Sequence, residues 1–531
     1  MDEAFFCVDG MFSCIVEGNN VAARGKWRME QDQAPLLEKL LEHRQAQNVS
    51  AHVPGHKSGK GVQKTASLLQ EIMSIDLTEI SGMDDLHDPE GVILEAQRLA
   101  ASCFGAEETF FLVNGSTAGN LSAILTLCSP GDILIVQRDV HKSVVNGLML
   151  AGAKAVFVPP VIDPVSGLPS GVDPVLLEKA LERYPEAKGV FVTNPNYYGL
   201  SADLANIVQL AHAFGVPVAV DEAHGAHFGF HPDLPPSAMA CGADLAVQST
   251  HKMLTALTMG AMLHVQGRQI DRERLRTCLS MLQSSSPSYP IMASLDASRR
   301  LLATEGSLWI GRSLQAVREA EDGIEQLAGF ETYRRRRANP RPFVDQDPYK
   351  LILRDATGTL GGFALQRELE QRGIFPEMAD DRYVLLVFSI ASDLSDAERL
   401  LGALVDISQH FRLSERYEDE TRQNRDMEQA RRERLHSVFA ADISEPVSFG
   451  MEQLRKMRQE EAVLGQAAGR KAAEMVVPYP PGIPVLYPGE TIAPETAEYL
   501  RRLALSGARF QGAADPALRT IRVLPETDSL K

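Results

Sequence analysis

Long apolar runs are missing from this chain. No stretch approaches the roughly 18 uninterrupted apolar residues that a membrane span needs, so no span is expected. The N-terminus, MDEAFFCVDGMFSCIVEG, is acidic where a secretory leader would be basic. Cysteine is sparse. The six (Cys7, Cys14, Cys103, Cys128, Cys241, Cys278) form no CxxC and no metal-type pairing, so they read as reduced, mostly buried thiols of a cytoplasmic protein, and no metal site is expected. Positive charge is in deficit: 53 Lys and Arg against 70 Asp and Glu leave a net charge of −17. That argues against a nucleic-acid partner, which needs clustered basic side chains. It is compatible with a cationic small molecule, although acidic balance also serves solubility. Internal repeats and low-complexity tracts are absent.

What is present is an alternation of short apolar runs and helical patterns. With 531 residues the chain can build three or four cores. FFLV (110–113), ILIV (133–136), AVFV (155–158), GVFV (189–192), PVAVD (217–221) and DLAVQ (244–248) predict strands buried on both faces. Candidate helices at 117–127, 173–183 and 203–214 lie between them. The alternation predicts a layered α/β domain with a mostly parallel sheet. A long helix is expected to begin at 291–304. It leads to a smaller α+β domain with strands at 349–355 and 382–389 around a helix at 361–372. Residues 413–437 are dense in charge and read as a solvated linking helix. The expected division is 1–75 as extension and linker, 76–304 as the large domain, 305–412 as the small domain and 413–531 as a last α+β domain. Residues 1–30 show no period and read as a loose extension.

The chemistry concentrates at the carboxyl ends of the predicted strands, where layered α/β sheets present ligands. Asp221 ends PVAVD, and Lys252 follows DLAVQ within Ser249-Thr250-His251-Lys252. A lysine amine so placed can form an imine with an aldehyde cofactor, and a strand-end carboxylate can hold a ring nitrogen protonated. Gly115-Ser116-Thr117 lies between a strand and a helix, where small residues and free N–H groups suit a phosphate or simply cap the helix.

Several segments together resemble one family, the bacterial-type ornithine/lysine/arginine decarboxylases. They are HVPGHKSGKG (52–61), DLTEISGMDDLHDPEG (76–91), FLVNGSTAGN (111–120), RDVHKS (138–143), TNPNYYGL (193–200), VDEAHGAHFGFHP (220–232), QSTHKMLTALT (248–258) and PYPPGIPVLYPGE (478–490). The resemblance covers about residues 30 to 531. It implies the aspartate-aminotransferase-like fold (fold type I) of transferases dependent on pyridoxal 5'-phosphate. It further implies a basic amino acid as substrate and a homodimer, or a multiple of dimers, that shares its sites. Long members carry a receiver-like N-terminal domain. PGHK begins near residue 54, which leaves no room for one and puts larger assemblies in doubt.

Residue by residue, the resemblance implies Lys252 as the cofactor lysine and Asp221 as the partner of the pyridine nitrogen. His141 would stack on the ring, and Gly115, Ser116, Thr117, Ser249 and His251 would lie near the phosphate. His251 can also pass protons at the substrate Cα. His224 is read either as a contact to the cofactor or as a structural histidine. His56 and Lys57 are candidates for contacts across a subunit boundary. Glu79, Asp84, Asp85 and Glu377 are candidates to face a cationic substrate, or else are surface and capping acids.

Two departures stand out. The stretch after the lysine reads Thr258-Met259-Gly260-Ala261 where the family usually has Thr-Gln-small-small, and Asn196 stands where threonine is usual. The expected reaction is decarboxylation of arginine first, then lysine or ornithine, to a polyamine precursor. Transamination is disfavoured by the PYPPGIP segment, and a silent regulator by the intact Lys252, Asp221 and His141.

Overall fold

A computed structural model describes residues 30–163, 166–333, 344–420, 442–450 and 458–525. The expectation of a loose N-terminal extension, and most of that of a charged linking helix, lie outside these residues; Leu413–Glu420 is helical.

The large sheet has eight strands. In spatial order they are Glu108–Leu112, Ala261–Val265, Leu245–Gln248, Val218–Asp221, Val190–Thr193, Ile133–Gln137, Lys154–Val158 and Val447–Ser448. All six predicted strands are present. Pairing is parallel from Leu245–Gln248 through to Lys154–Val158. Ala261–Val265 was not foreseen. It runs antiparallel between Glu108–Leu112 and Leu245–Gln248. Val447–Ser448, from the C-terminal part of the chain, adds an antiparallel edge.

The apolar strand runs are explained by helices on both faces. Leu134, Val136, Ala219 and Val247 enter one core with Ile124 and Leu148. Their neighbours Ile133, Ile135, Val218, Val220 and Ala246 enter another with Leu177, Leu181 and Ile207. Alternate side chains therefore meet different helix layers, as the two-residue period of a strand requires. The helix Gly115–Leu127 lies close on the sheet: a Cβ at Gly119 would come within 2.6 Å of Val247 Cγ1.

The long helix Tyr289–Glu325 runs unbroken through the expected boundary at 304/305. Beyond it, Phe330–Tyr333, Lys350–Asp355, Val384–Val387 and Met378–Ala379 form an antiparallel sheet. The helices Gly362–Gln371 and Leu394–Phe411 belong to the same unit. A separate small core around Leu464, Val476, Leu486, Leu500 and Ile521 organises the C-terminal part. That part is clamped to the large sheet by Arg138. This buried arginine donates to Pro484 O and Val485 O, forms a bidentate pair with Glu490, and lies 4.0 Å over the Tyr487 ring. Among the described residues, no helix is long and apolar enough to cross a membrane.

Candidate active site

The parallel strands Leu245–Gln248, Val218–Asp221, Val190–Thr193 and Ile133–Gln137, with Glu108–Leu112 beyond Ala261–Val265, deliver the site from their carboxyl ends. Asp221 ends its strand, and its buried carboxylate accepts from Asn120 Nδ2 at 2.8 Å and Ala223 N at 3.1 Å. Burial raises its pKa, while the Lys252 charge and the bond from Asn120 oppose the rise. Two amide donors do not neutralise a buried anion, so the position favours a cationic partner.

Lys252 sits on the one-turn helix Thr250–Met253 that follows the next strand. Burial lowers its pKa, against the pull of Asp221 and Glu377. Its Nζ lies 3.0 Å from His224 Nε2 and 5.4 Å from the Tyr197 ring centroid. His224 is buried between two amines, since its Nδ1 lies 3.0 Å from Lys350 Nζ. Burial and then the two lysine charges hold the imidazole well below its ordinary pKa, so it is neutral.

His141 caps the helix Lys142–Ala151, accepting from Ser143 N at 3.2 Å. Burial, with help from Lys252 and Lys142, pushes it down to about 3, so it too is an uncharged ring. Its outer face meets the PYPPGIP loop: Lys142 N donates to Gly482 O at 2.9 Å, and a Cβ at Gly482 would come within 3.0 Å of His141 Nε2.

Gly115, Ser116 and Thr117 begin the helix Gly115–Leu127, whose N-terminus carries no side-chain cap among the described residues. Gly115 has φ +75, and a Cβ there would meet only Met259 O, at 4.0 Å. Ser249 Oγ donates to Ser116 Oγ at 2.8 Å across the cradle. His251 Nδ1 lies 3.1 Å from Gly260 O; burial lowers its pKa. Open N–H groups, two hydroxyls and a positive helix end fit a phosphate. With the lysine and the buried carboxylate, the donor set fits pyridoxal 5'-phosphate.

Glu377, exposed in the small domain, acts electrostatically on Lys252, Lys350 and His251 and accepts from the Tyr197 hydroxyl. It therefore stands at the mouth. His56, Lys57, Glu79, Asp84 and Asp85 are placed elsewhere. His56 Nε2 lies 3.2 Å from Asp76, and Lys57 Nζ bonds His52 O. Glu79, Asp84 and Asp85 gather around Tyr289. Asp84 accepts from the backbone N–H groups of Glu90, Gly91, Ile93 and Leu94, so it caps the helix Val92–Phe104. Among the described residues, no recorded contact joins these five to Lys252.

Asn120, Tyr197 and Lys350 were not singled out from the sequence. Asn120 and Tyr197 lie inside motifs that were recognised as blocks. For Lys350 the signal was a lysine at the head of an otherwise apolar strand run. Of the two departures, Met259 has φ +76 and an exposed side chain beside Gly115. Asn196 accepts from Leu200 N and donates to Pro169 O, so it ties the Tyr197 loop.

Comparison with known proteins agrees with this geometry. Residues 34–341 match the model for the Orn/Lys/Arg decarboxylase major domain, and residues 438–515 match that for the family's C-terminal domain. An uncharacterized protein of Bacillus subtilis is 40% identical over 487 residues, 90% of this chain and 96% of its own length. An arginine decarboxylase of the same organism is 37% identical over 506 residues, 95% of this chain and 100% of its own length. Lysine decarboxylase A from Pseudomonas aeruginosa superposes with a TM-score of 0.76 at 21% identity, covering 92% of this chain and 80% of that one, a likeness of fold. The motifs, the two domain matches and the extent of the relatives agree: this chain belongs to the Orn/Lys/Arg decarboxylase family.

Proposed function

We propose that this protein decarboxylates a basic L-amino acid with pyridoxal 5'-phosphate, arginine first, then lysine or ornithine. The observation that carries the reading is the half-buried Lys252 and the buried Asp221 at the ends of neighbouring parallel strands, beside a helix start with no side-chain cap among the described residues. Arginine leads because the relative matching 95% of the chain is an arginine decarboxylase.

When bound, the cofactor supplies an aldehyde for the substrate amine and a ring that accepts the electron pair of the broken Cα–carboxylate bond. Lys252 would be the residue that holds that aldehyde. Asp221 would hold a proton at the ring nitrogen, which its burial makes strongly favourable. His141, uncharged and backed by the Gly482 loop, closes one face and excludes water. Gly115, Ser116, Thr117 and Ser249 anchor the phosphate. Lys252 or His251 returns a proton to Cα. Glu377 and Tyr197 line the mouth and attract a cationic tail. The product amine is a polyamine precursor. A cytoplasmic setting is supported by Cys103, Cys128, Cys241 and Cys278, which are free thiols among the described residues. The assembly is proposed to be a homodimer or a multiple of it.

The test is carbon dioxide release from separate incubations with arginine, lysine, ornithine and glutamate. Release from a basic amino acid, fastest for arginine, is expected. Release from glutamate alone, or oxo-acid formation without carbon dioxide, overturns the reading.

A further inference from the structure

Lys350 has no part in the chemistry described above, yet its amine lies in the same buried cluster. It opens the strand Lys350–Asp355 and is 2% exposed. Its stem is pressed against Gly199, where a Cβ would come within 2.7 Å of Lys350 Cβ. Its Nζ lies 3.0 Å from His224 Nδ1, and Lys252 Nζ lies 3.0 Å from His224 Nε2.

Counting hydrogens constrains this row. A neutral imidazole carries one N–H and one bare nitrogen, and an ammonium can only donate. If both lysines were ammonium, one would face the ring N–H without an acceptor. While His224 is neutral, only one of the two can hold the extra proton. The groups facing the row bias where it sits. Asp221, Glu377, His141, His251 and Tyr197 surround Lys252. Burial pushes Lys350 down to about 8, against the pull of Asp347 and Glu377 and with help from Lys252; His224 adjoins it, and His227 bonds Asp347. Asp347 Oδ2 is buried without a hydrogen-bond partner among the described residues, so part of its charge remains for Lys350. Asp221 is claimed by the ring nitrogen once the cofactor binds.

We propose that Lys350 is the positioning residue that keeps Lys252 a free amine, by taking its proton through His224. The transfer balances. Lys252 ammonium gives a proton to His224 Nε2, and His224 Nδ1 gives its own to Lys350. One proton moves, no bond to carbon changes, and His224 ends with its N–H directed at the Lys252 lone pair. The proposal rests on the reading of Lys252 as the cofactor-holding amine.

Arginine and methionine at 350 separate this from a packing role. In Lys350→Arg, a guanidinium that is always charged donates to Nδ1 and holds Lys252 neutral. In Lys350→Met, the relay is cut and Lys252 keeps its proton. The measurement is the rate at which the cofactor-stripped full-length chain captures pyridoxal phosphate, followed by absorbance across pH. Lys350→Met should be slower by about tenfold or more at pH 7, its profile displaced upward by about one unit or more. Lys350→Arg should keep or lower the pH of the transition. Equal displacement in both variants, or none in either, overturns the proposal. Should Lys350→Met fail to fold, competitive trace acetylation of the stripped wild-type chain decides. Lys252 should titrate about one unit or more below the ordinary lysine value of about 10.4 in wild type and no higher in Lys350→Arg; titration at the ordinary value, or a rise in Lys350→Arg, refutes the relay. Failure of the wild-type chain to capture pyridoxal phosphate would instead defeat the cofactor reading, and acetylation would still report on the relay.

Discussion

Asp221→Asn separates charge from shape. The amide keeps the volume and an acceptor for Asn120, but it loses the anion that burial makes valuable. We expect turnover to fall by about 100-fold or more, on the order of 3 kcal/mol, with cofactor binding largely kept. A loss under about tenfold in kcat would remove the ring-nitrogen role. Its neighbour Glu222 carries the clearest pH signature. Burial pushes this carboxyl up to about 8, against bonds from Gln248 and Ala238. Below its unfolded value of 4.5 both states hold the proton. As pH rises past that value the unfolded chain releases it, while the folded chain keeps it until about 8. Stability is therefore lost across this window, by roughly 5 kcal/mol at most. Glu222→Gln lacks the linkage, so denaturant titrations should show its stability relative to wild type growing from pH 5 to pH 8. A constant difference across that range would contradict the raised carboxyl.

Elements are held in place by groups distant in sequence. The helix Val92–Phe104 has Gly91 at its N-cap, with no side-chain bond, and draws its cap from Asp84 at φ +70. Asp84→Ala should cost about 1–2 kcal/mol in unfolding free energy, near the upper range for caps. A cost near zero would mean water replaces the carboxylate. The PYPPGIP loop is a second case. Gly482 has φ +92, a conformation that L residues resist, and its missing side chain leaves room for His141. Gly482→Val should lower kcat about tenfold or more by displacing the ring, with a smaller loss of thermal stability. Unchanged kcat in a folded variant would show that the loop does not set the ring's position.

At the scale of the molecule, the question is whether one chain completes a site. His56 and Lys57 share no recorded contact with Lys252 among the described residues, although the family resemblance implies contacts near the phosphate. A two-fold assembly would complete two equivalent sites together. The prediction is complementation. Lys252→Ala and His56→Ala, each inactive alone, should regain some activity when mixed under subunit exchange, because one hybrid site holds both native residues. Absence of recovery despite proven exchange would place His56 and Lys252 in one subunit's site, or His56 outside it.

The sequence by itself determined the α/β class, six strands of the large sheet and the position of Lys252 and Asp221 at strand ends. These are local quantities: a run of Val and Ile buried on both faces declares itself over five residues, and a strand-end residue falls at the ligand side wherever the sheet is parallel. It did not reveal Ala261–Val265, which reverses direction between two parallel neighbours, because strand direction depends on pairing and leaves no mark in composition. Nor did it reveal the role of Lys350. A lysine at the head of an apolar strand run marks a half-hidden position but not its partners, and it gains meaning only when the small domain sets its amine against His224. Asp84 shows the same limit: its acidic motif left a substrate contact and a capping role both open, and the fold gives its carboxylate to a helix start. Only the tertiary structure decided these, since a buried charge is defined by the partners that surround it, and here they come from distant parts of the chain.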